Sequence, residues 1–102
     1  LNNSNYSAAD PVRLKEAKHK ERRVSEKQND DMFNVLSTIE GRRVLWRILE
    51  HCKSFQSIWD NSAKIHYNAG QQDVGHFLIK AITEANPKAY IQMLNDKQNG
   101  DI

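Results

Sequence analysis

Thr38-Ile-Glu-Gly-Arg-Arg-Val-Leu-Trp-Arg-Ile-Leu-Glu-His-Cys52 holds the most regular apolar pattern in the chain. Val44, Leu45, Ile48, Leu49 and Cys52 recur at helical spacing and make one broad apolar face. Arg42, Arg43, Arg47 and Glu50 occupy much of the other side, and Trp46 falls at the edge. Ser37, with Glu40 three residues on, predicts a capping box that opens the helix. Gly41 near its start predicts a close approach of another part of the chain.

Reading outward from this helix extends an all-α pattern in both directions. Lys53 to Tyr67 mixes Phe55, Ile58, Trp59, Ile65 and Tyr67 with turn residues, which predicts a short helical turn and an ordered loop. After Asn68-Ala69-Gly70, the residues Val74, Phe77, Leu78, Ala81, Ile82 and Ala85 repeat at three and four and predict another helix. Gly75 inside it marks a place where a backbone or a large ring comes near, with Trp46 or Trp59 as the expected neighbour. Asn86-Pro87 stops that helix and opens the last, whose inner face is Ala89, Tyr90, Met93 and Leu94. On the other side, Asp30-Asp31 reads as a start signal for a short segment with Met32, Phe33, Leu36 and Ile39.

Asp10-Pro11 opens a further helix, as N-cap followed by proline at the first helical position. Its residues to about 28 contain few apolar side chains: Val12, Leu14, Ala17 and Val24. So thin a stripe predicts an exposed arm or one docked on another chain. The arm carries Arg13, Lys15, Lys18, Lys20, Arg22, Arg23 and Lys27 against Glu16, Glu21 and Glu26, a net +4 in a chain whose total is +2. Glu16/Lys20 and Arg22/Glu26 are placed to pair along it.

The expected architecture is therefore a small compact helical domain of three to four helices, residues 30–96. A polar lead and extended charged helical arm, residues 1–29, precedes it, and a frayed end, residues 97–102, follows. The 102 residues allow one small domain and a tail. Cys52 has no second cysteine to pair with. No unbroken apolar run exceeds three residues, as in Phe77–Ile79, against about twenty for a membrane span. No basic start followed by an apolar stretch marks a signal peptide. A start at Leu1 reads as a removed initiator Met or an excerpt.

Chemistry-bearing motifs are few. His51 and Cys52 are adjacent and project about 100° apart on a helix, so they do not readily share a tetrahedral site. With no C-x-x-C, H-x-x-x-H or H-E-x-x-H spacing, no metal is expected. Cys52 lies on the apolar face, where desolvation disfavours a thiolate nucleophile. Glu40 and Glu50 are the carboxylates to weigh for glycoside cleavage, but capping and ion pairing account for them, and about 65 residues hardly form a two-lobed cleft. Phosphate-binding glycine loops are missing, so no cofactor is expected. What remains is the basic arm, Lys15, Lys18, Arg22 and Arg23, with a second basic stripe at Arg42, Arg43 and Arg47. Either reads as a solvated or subunit-contacting face, or as a contact for nucleic-acid phosphates or an acidic partner.

The Thr38–Cys52 stretch, Phe55, Tyr67-Asn-Ala-Gly-Gln-Gln-Asp-Val-Gly75 and Glu84-Ala-Asn-Pro-Lys-Ala-Tyr90 together resemble a small protein family of short-tailed bacteriophages, of the Bordetella podophage type, over residues 32–95. The resemblance implies a protein encoded among head, portal and tail genes, with no enzymatic activity and no cofactor. It implies the virion, and the host cytoplasm during assembly, as the location. The expected partners are portal, tail or internal virion proteins and further copies of itself, with non-specific DNA as the alternative. In that setting Val12, Leu14, Lys18, Arg22 and Arg23 are the candidate assembly residues of the arm. Lys15, Arg42, Arg43 and Arg47 are the candidate contacts for DNA or an acidic partner. Gly41, Trp46, Gly70 and Gly75 are read as architectural.

Overall fold

A computed structural model describes residues 10–102; the expected polar lead, residues 1–9, lies outside them. The Asp10 carboxylate accepts from the amides of Val12, at 3.0 Å, and Arg13, at 3.3 Å, and Pro11 takes the first helical position. The helix so opened, α1 (Pro11–Leu36), runs for 26 residues. The start expected at Asp30-Asp31 does not occur. No Gly or Pro forces the backbone out of the helix there, and the few tenths of a kcal/mol that Asn and Asp cost in a helix are outweighed by burying Leu36 and packing Met32. The glutamate and lysine or arginine pairs expected along the arm, Glu16/Lys20 and Arg22/Glu26, do not close; the N-terminal pair is Arg13 with Asp10, at 3.6 Å.

Ser37 and Thr38 turn the chain into α2 (Ile39–His51). Ser37 caps the end of α1, its hydroxyl donating to the Phe33 carbonyl at 2.8 Å. Thr38, not Ser37, is the N-cap of α2, accepting from the Gly41 amide at 3.0 Å. The capping box is replaced because Ser37 is still held by the last turn of α1.

The end of α2 is a Schellman motif. Lys53 donates its amide to Glu50 O, and the Ser54 amide reaches back to Leu49 O. Lys53 sits in the left-handed region, at φ 56°. Its side chain and carbonyl hold the next helix: Nζ donates to Gln71 Oε1 at 2.8 Å, and its carbonyl accepts from Gln72 Nε2 at 3.0 Å. The loop that follows is ordered by its own polar groups. Asp60 accepts from both the hydroxyl and the amide of Ser62, and these bonds hold its carboxyl below the usual value.

The third helix, α3 (Lys64–Ala85), ends at Asn86, and α4 (Ala89–Gln98) follows after a turn in which Asn86 Oδ1 accepts from the Lys88 amide. Asn86 thus shapes the turn rather than capping α4 directly, and Pro87 precedes the helix instead of beginning it. A second Schellman motif ends α4, with Gly100 at φ 78°, its amide on Lys97 O and the Asp101 amide on Asp96 O. The frayed end expected over residues 97–102 is instead tied down. Arg43 Nε donates to Asp101 O at 2.8 Å, and Ile102 packs against the core.

All four helices meet at one small core of Leu36, Leu45, Trp46, Leu49, Ile82, Ala89 and Met93. Leu49, Ile82 and Met93 are fully buried. The described residues are helical with no strand, so the chain is all-α. The buried face of α2 is turned from the expected one: Trp46 is inside, stacked on Phe55 at 5.0 Å between centroids, while Val44 and Ile48 are exposed. Two neighbouring apolar stripes compete on α2, and the one carrying the larger aromatic surface is buried.

Candidate functional site

The sequence places its candidate residues in two groups, and the structure treats them differently. Val12, Leu14, Lys15, Lys18, Arg22 and Arg23 are all exposed on the N-terminal part of α1. Lys15, Lys18 and Arg22, with His19, share one side of that helix at spacings of three and four. Leu14, Ala17 and Val24 lie along another side, where Ala17 and Ser25 leave a shallow trough bounded by Lys20, Glu21, Val24 and Gln28.

The arginines of α2 do not form one stripe. Arg42 is spent on the fold. Its Nε donates to Asp96 Oδ2 at 2.8 Å and its Nη1 to the Leu36 carbonyl at 2.9 Å, with both side chains of the ion pair largely out of water. One guanidinium therefore closes the end of α1 and ties α2 to α4. Arg43 holds the C-terminal tail. Arg43 is nonetheless exposed, and Arg47 is open in a shallow groove with Val44, Ile48 and His51. Arg42 is thereby withdrawn as a contact for an external anion, while Arg43, exposed and held through Nε alone, is not. Sequence carries no signal for a pair 54 residues apart, such as Arg42 and Asp96.

These bonds set an expected result. Arg42→Ala strands Asp96 and the Leu36 carbonyl and lowers unfolding stability by about 2 kcal/mol, discounted for the residual exposure of the pair. Arg43→Ala removes one exposed bond and costs about 0.5 kcal/mol. Urea midpoints of the two variants check this; equal effects would remove Arg42 from the fold's framework.

The glycines divide as well. A Cβ at Gly41 would run into the Val35 carbonyl, and one at Gly75 into the Ser54 hydroxyl with Cys52 Cβ at 3.1 Å. The neighbour of Gly75 is thus the α2 end and its turn, not Trp46 or Trp59; Trp59 is 76% exposed. Gly70 has open space around it, with nothing within 4 Å, so no close approach requires it.

Other chemistry is thin. Cys52 is buried and free. Glu50 pairs with Lys97 at 3.6 Å, and Glu40 stands in the first turn of α2, where the helix dipole favours a negative charge. Among the described residues no three His, Cys, Asp or Glu side chains gather to hold a metal ion, and no helix is long and apolar enough to cross a membrane. Trp46 Nε1 and Ser54 Oγ are buried without a hydrogen-bond partner. Neither faces a cluster of reactive groups.

What stands out is apolar surface. Eight apolar residues are buried among the described residues, the seven of the core and Cys52, while Val12, Leu14, Val24, Phe33, Val35, Val44, Ile48, Trp59, Tyr67, Val74, Phe77 and others remain open to solvent. Single exposed apolar side chains are ordinary, but rows of them along α1 and α3 are surfaces on which protein can dock.

No curated relative and no solved structure matches the chain. The model of one family, described as Bbp19-like phage protein, matches residues 33–95, more than half of the chain and all of α2, α3 and the body of the core. The chain belongs to the Bbp19-like phage protein family.

Proposed function

We propose that this phage protein is a non-enzymatic component of the virion, a small helical subunit of an internal, ejected assembly or of the head–tail, portal-associated one. The observation that carries the reading is the imbalance of its apolar surface, with eight buried apolar residues against rows of exposed Val, Leu, Phe and Tyr on α1 and α3. A chain that leaves this much apolar surface open gains stability by docking. Family membership supports a phage setting. The partners are then portal, tail or internal virion proteins, the location the virion, and the host cytoplasm while particles assemble.

Mass spectrometry of gradient-purified particles from the phage that encodes the chain tests this. Stoichiometric recovery with the particle is expected. Abundance in the infected cell with none in particles would sink the virion reading.

A second reading rests on the row Lys15, Lys18 and Arg22, exposed and aligned on α1. It takes phosphates of the genome as the partner, through the arm and without Arg42. Binding to random-sequence duplex DNA should then weaken with salt, with a log–log slope of about −3 for three phosphate contacts. A slope near zero removes this reading.

A further inference from the structure

We propose that α1 pairs antiparallel with α1 of a second copy of this chain. The surface is the side of α1 that bears Leu14, Ala17, Val24 and Val35. With Glu21, Gln28 and Asp31 these residues alternate at spacings of three and four from end to end of the helix. That is the repeat by which two helices seat against each other, and its polar members weaken the seam while limiting the registers it accepts.

Leu14, Val24 and Val35 are exposed by 51%, 49% and 43%, so none is used by the protein's own core. Ala17 and Ser25 leave the trough along this side into which a neighbour's side chains fit. Toward its C-terminal end the trough opens into a groove between α1 and α3, floored by Met32 and Ala81 and bordered by Gln28, Phe77 and Glu84. Phe77 is 72% exposed there.

Charge selects the occupant and its direction. Residues 11–23 of α1 carry six basic and two acidic side chains, a net +4. Residues 24–36 carry one basic and three acidic, a net −2, and Glu84 adds another acid beside them. A second α1 lying parallel would set +4 against +4. Lying antiparallel, it sets each +4 half against a −2 half, and the two helix dipoles oppose. A helix of 26 residues spans about 39 Å, enough contact for an interface of standard size when the α1/α3 groove is included.

The pairing deepens the virion reading by naming one contact of that assembly, but its test is independent of it. Sedimentation of the full chain should give a mass about twice 11.8 kDa. Val24→Glu, at an exposed position where the fold is indifferent, should raise the dimer dissociation constant at least tenfold with helix content by circular dichroism unchanged. Raising salt from about 0.1 to 1 M, where the screening length drops from about 10 to 3 Å, should weaken the dimer as well.

Direction is read by cross-linking with a short bis-maleimide. Leu14→Cys chains mixed with Val35→Cys chains should join to each other, with the wild-type chain and its buried Cys52 as background. A monomer up to about 1 mM, a dimer indifferent to Val24→Glu, or Leu14→Cys chains joining chiefly to themselves overturns the proposal. A monomer that is nonetheless recovered in particles overturns the pairing alone. A dimer absent from particles overturns the virion reading alone.

Discussion

Replacing Leu49 by Ala lowers the unfolding free energy by about 3–4 kcal/mol. Leu49 is 0% exposed and lies at the centre of a core made of Leu36, Leu45, Trp46, Ile82, Ala89 and Met93. Removing three side-chain carbons loses their transfer free energy and leaves a cavity, since the contacts come from four helices that cannot all close in together. For a chain of this length the whole stability is about 5–15 kcal/mol. Thermal unfolding should therefore move down by about 15–25 °C. Ile48, the neighbouring residue, is 42% exposed, and Ile48→Ala should cost under about 1 kcal/mol. Calorimetry on the two variants reads the rotation of α2 directly. Equal losses would mean that α2 buries the face its sequence pattern favours, with Trp46 at the edge.

The second large effect comes from a methyl group. Gly41→Ala should destabilise by about 3 kcal/mol, although alanine is the better helix former by roughly 1 kcal/mol. The added Cβ runs into the Val35 carbonyl, which is backbone at the last turn of α1. That carbonyl also accepts from the Thr38 hydroxyl, the group that caps α2, so it cannot move without opening the α1–α2 corner. Gly75→Ala should cost less, because the Ser54 hydroxyl it meets is a side-chain atom that can turn away; Cys52 Cβ at 3.1 Å must still give slightly. Gly70→Ala meets nothing and should raise stability by up to about 1 kcal/mol. Denaturant midpoints measured across the three variants should rank Gly41, Gly75, Gly70. Any gain at Gly41 would contradict the tight corner.

How much of this was legible depended on the range of the interaction. The Asp10-Pro11 start of α1 was readable, because a cap acts on amides two and three residues away. The break at Asn86-Pro87 was readable too, although Asn86 ends α3 and shapes the turn rather than capping α4. Asp30-Asp31 misled, since a capping residue marks a start only where something else breaks the preceding helix. The tail beyond residue 96 misled too: Asn99-Gly100 looks like fraying, yet Arg43 and the core reach it across more than fifty residues of sequence. Among the candidate site residues, the exposed ones on α1 stood where the pattern put them. Arg42 could not be told from Arg43 or Arg47, because three arginines on one helix differ only in what happens to lie opposite each of them.

Periodicity and punctuation by themselves determined that the chain is helical, that a charged helix with a thin apolar stripe begins at Asp10-Pro11, and that residues 38–52 form the central element of the fold. These depend on local backbone preferences and on near neighbours, which sequence displays. Tertiary structure alone decided which side of α2 is buried, that Arg42 is locked to Asp96 while Arg47 stays open, and that Gly41 but not Gly70 is needed for its missing Cβ. Each of those is a choice between locally equivalent residues, made by whichever partner another helix brings within contact distance.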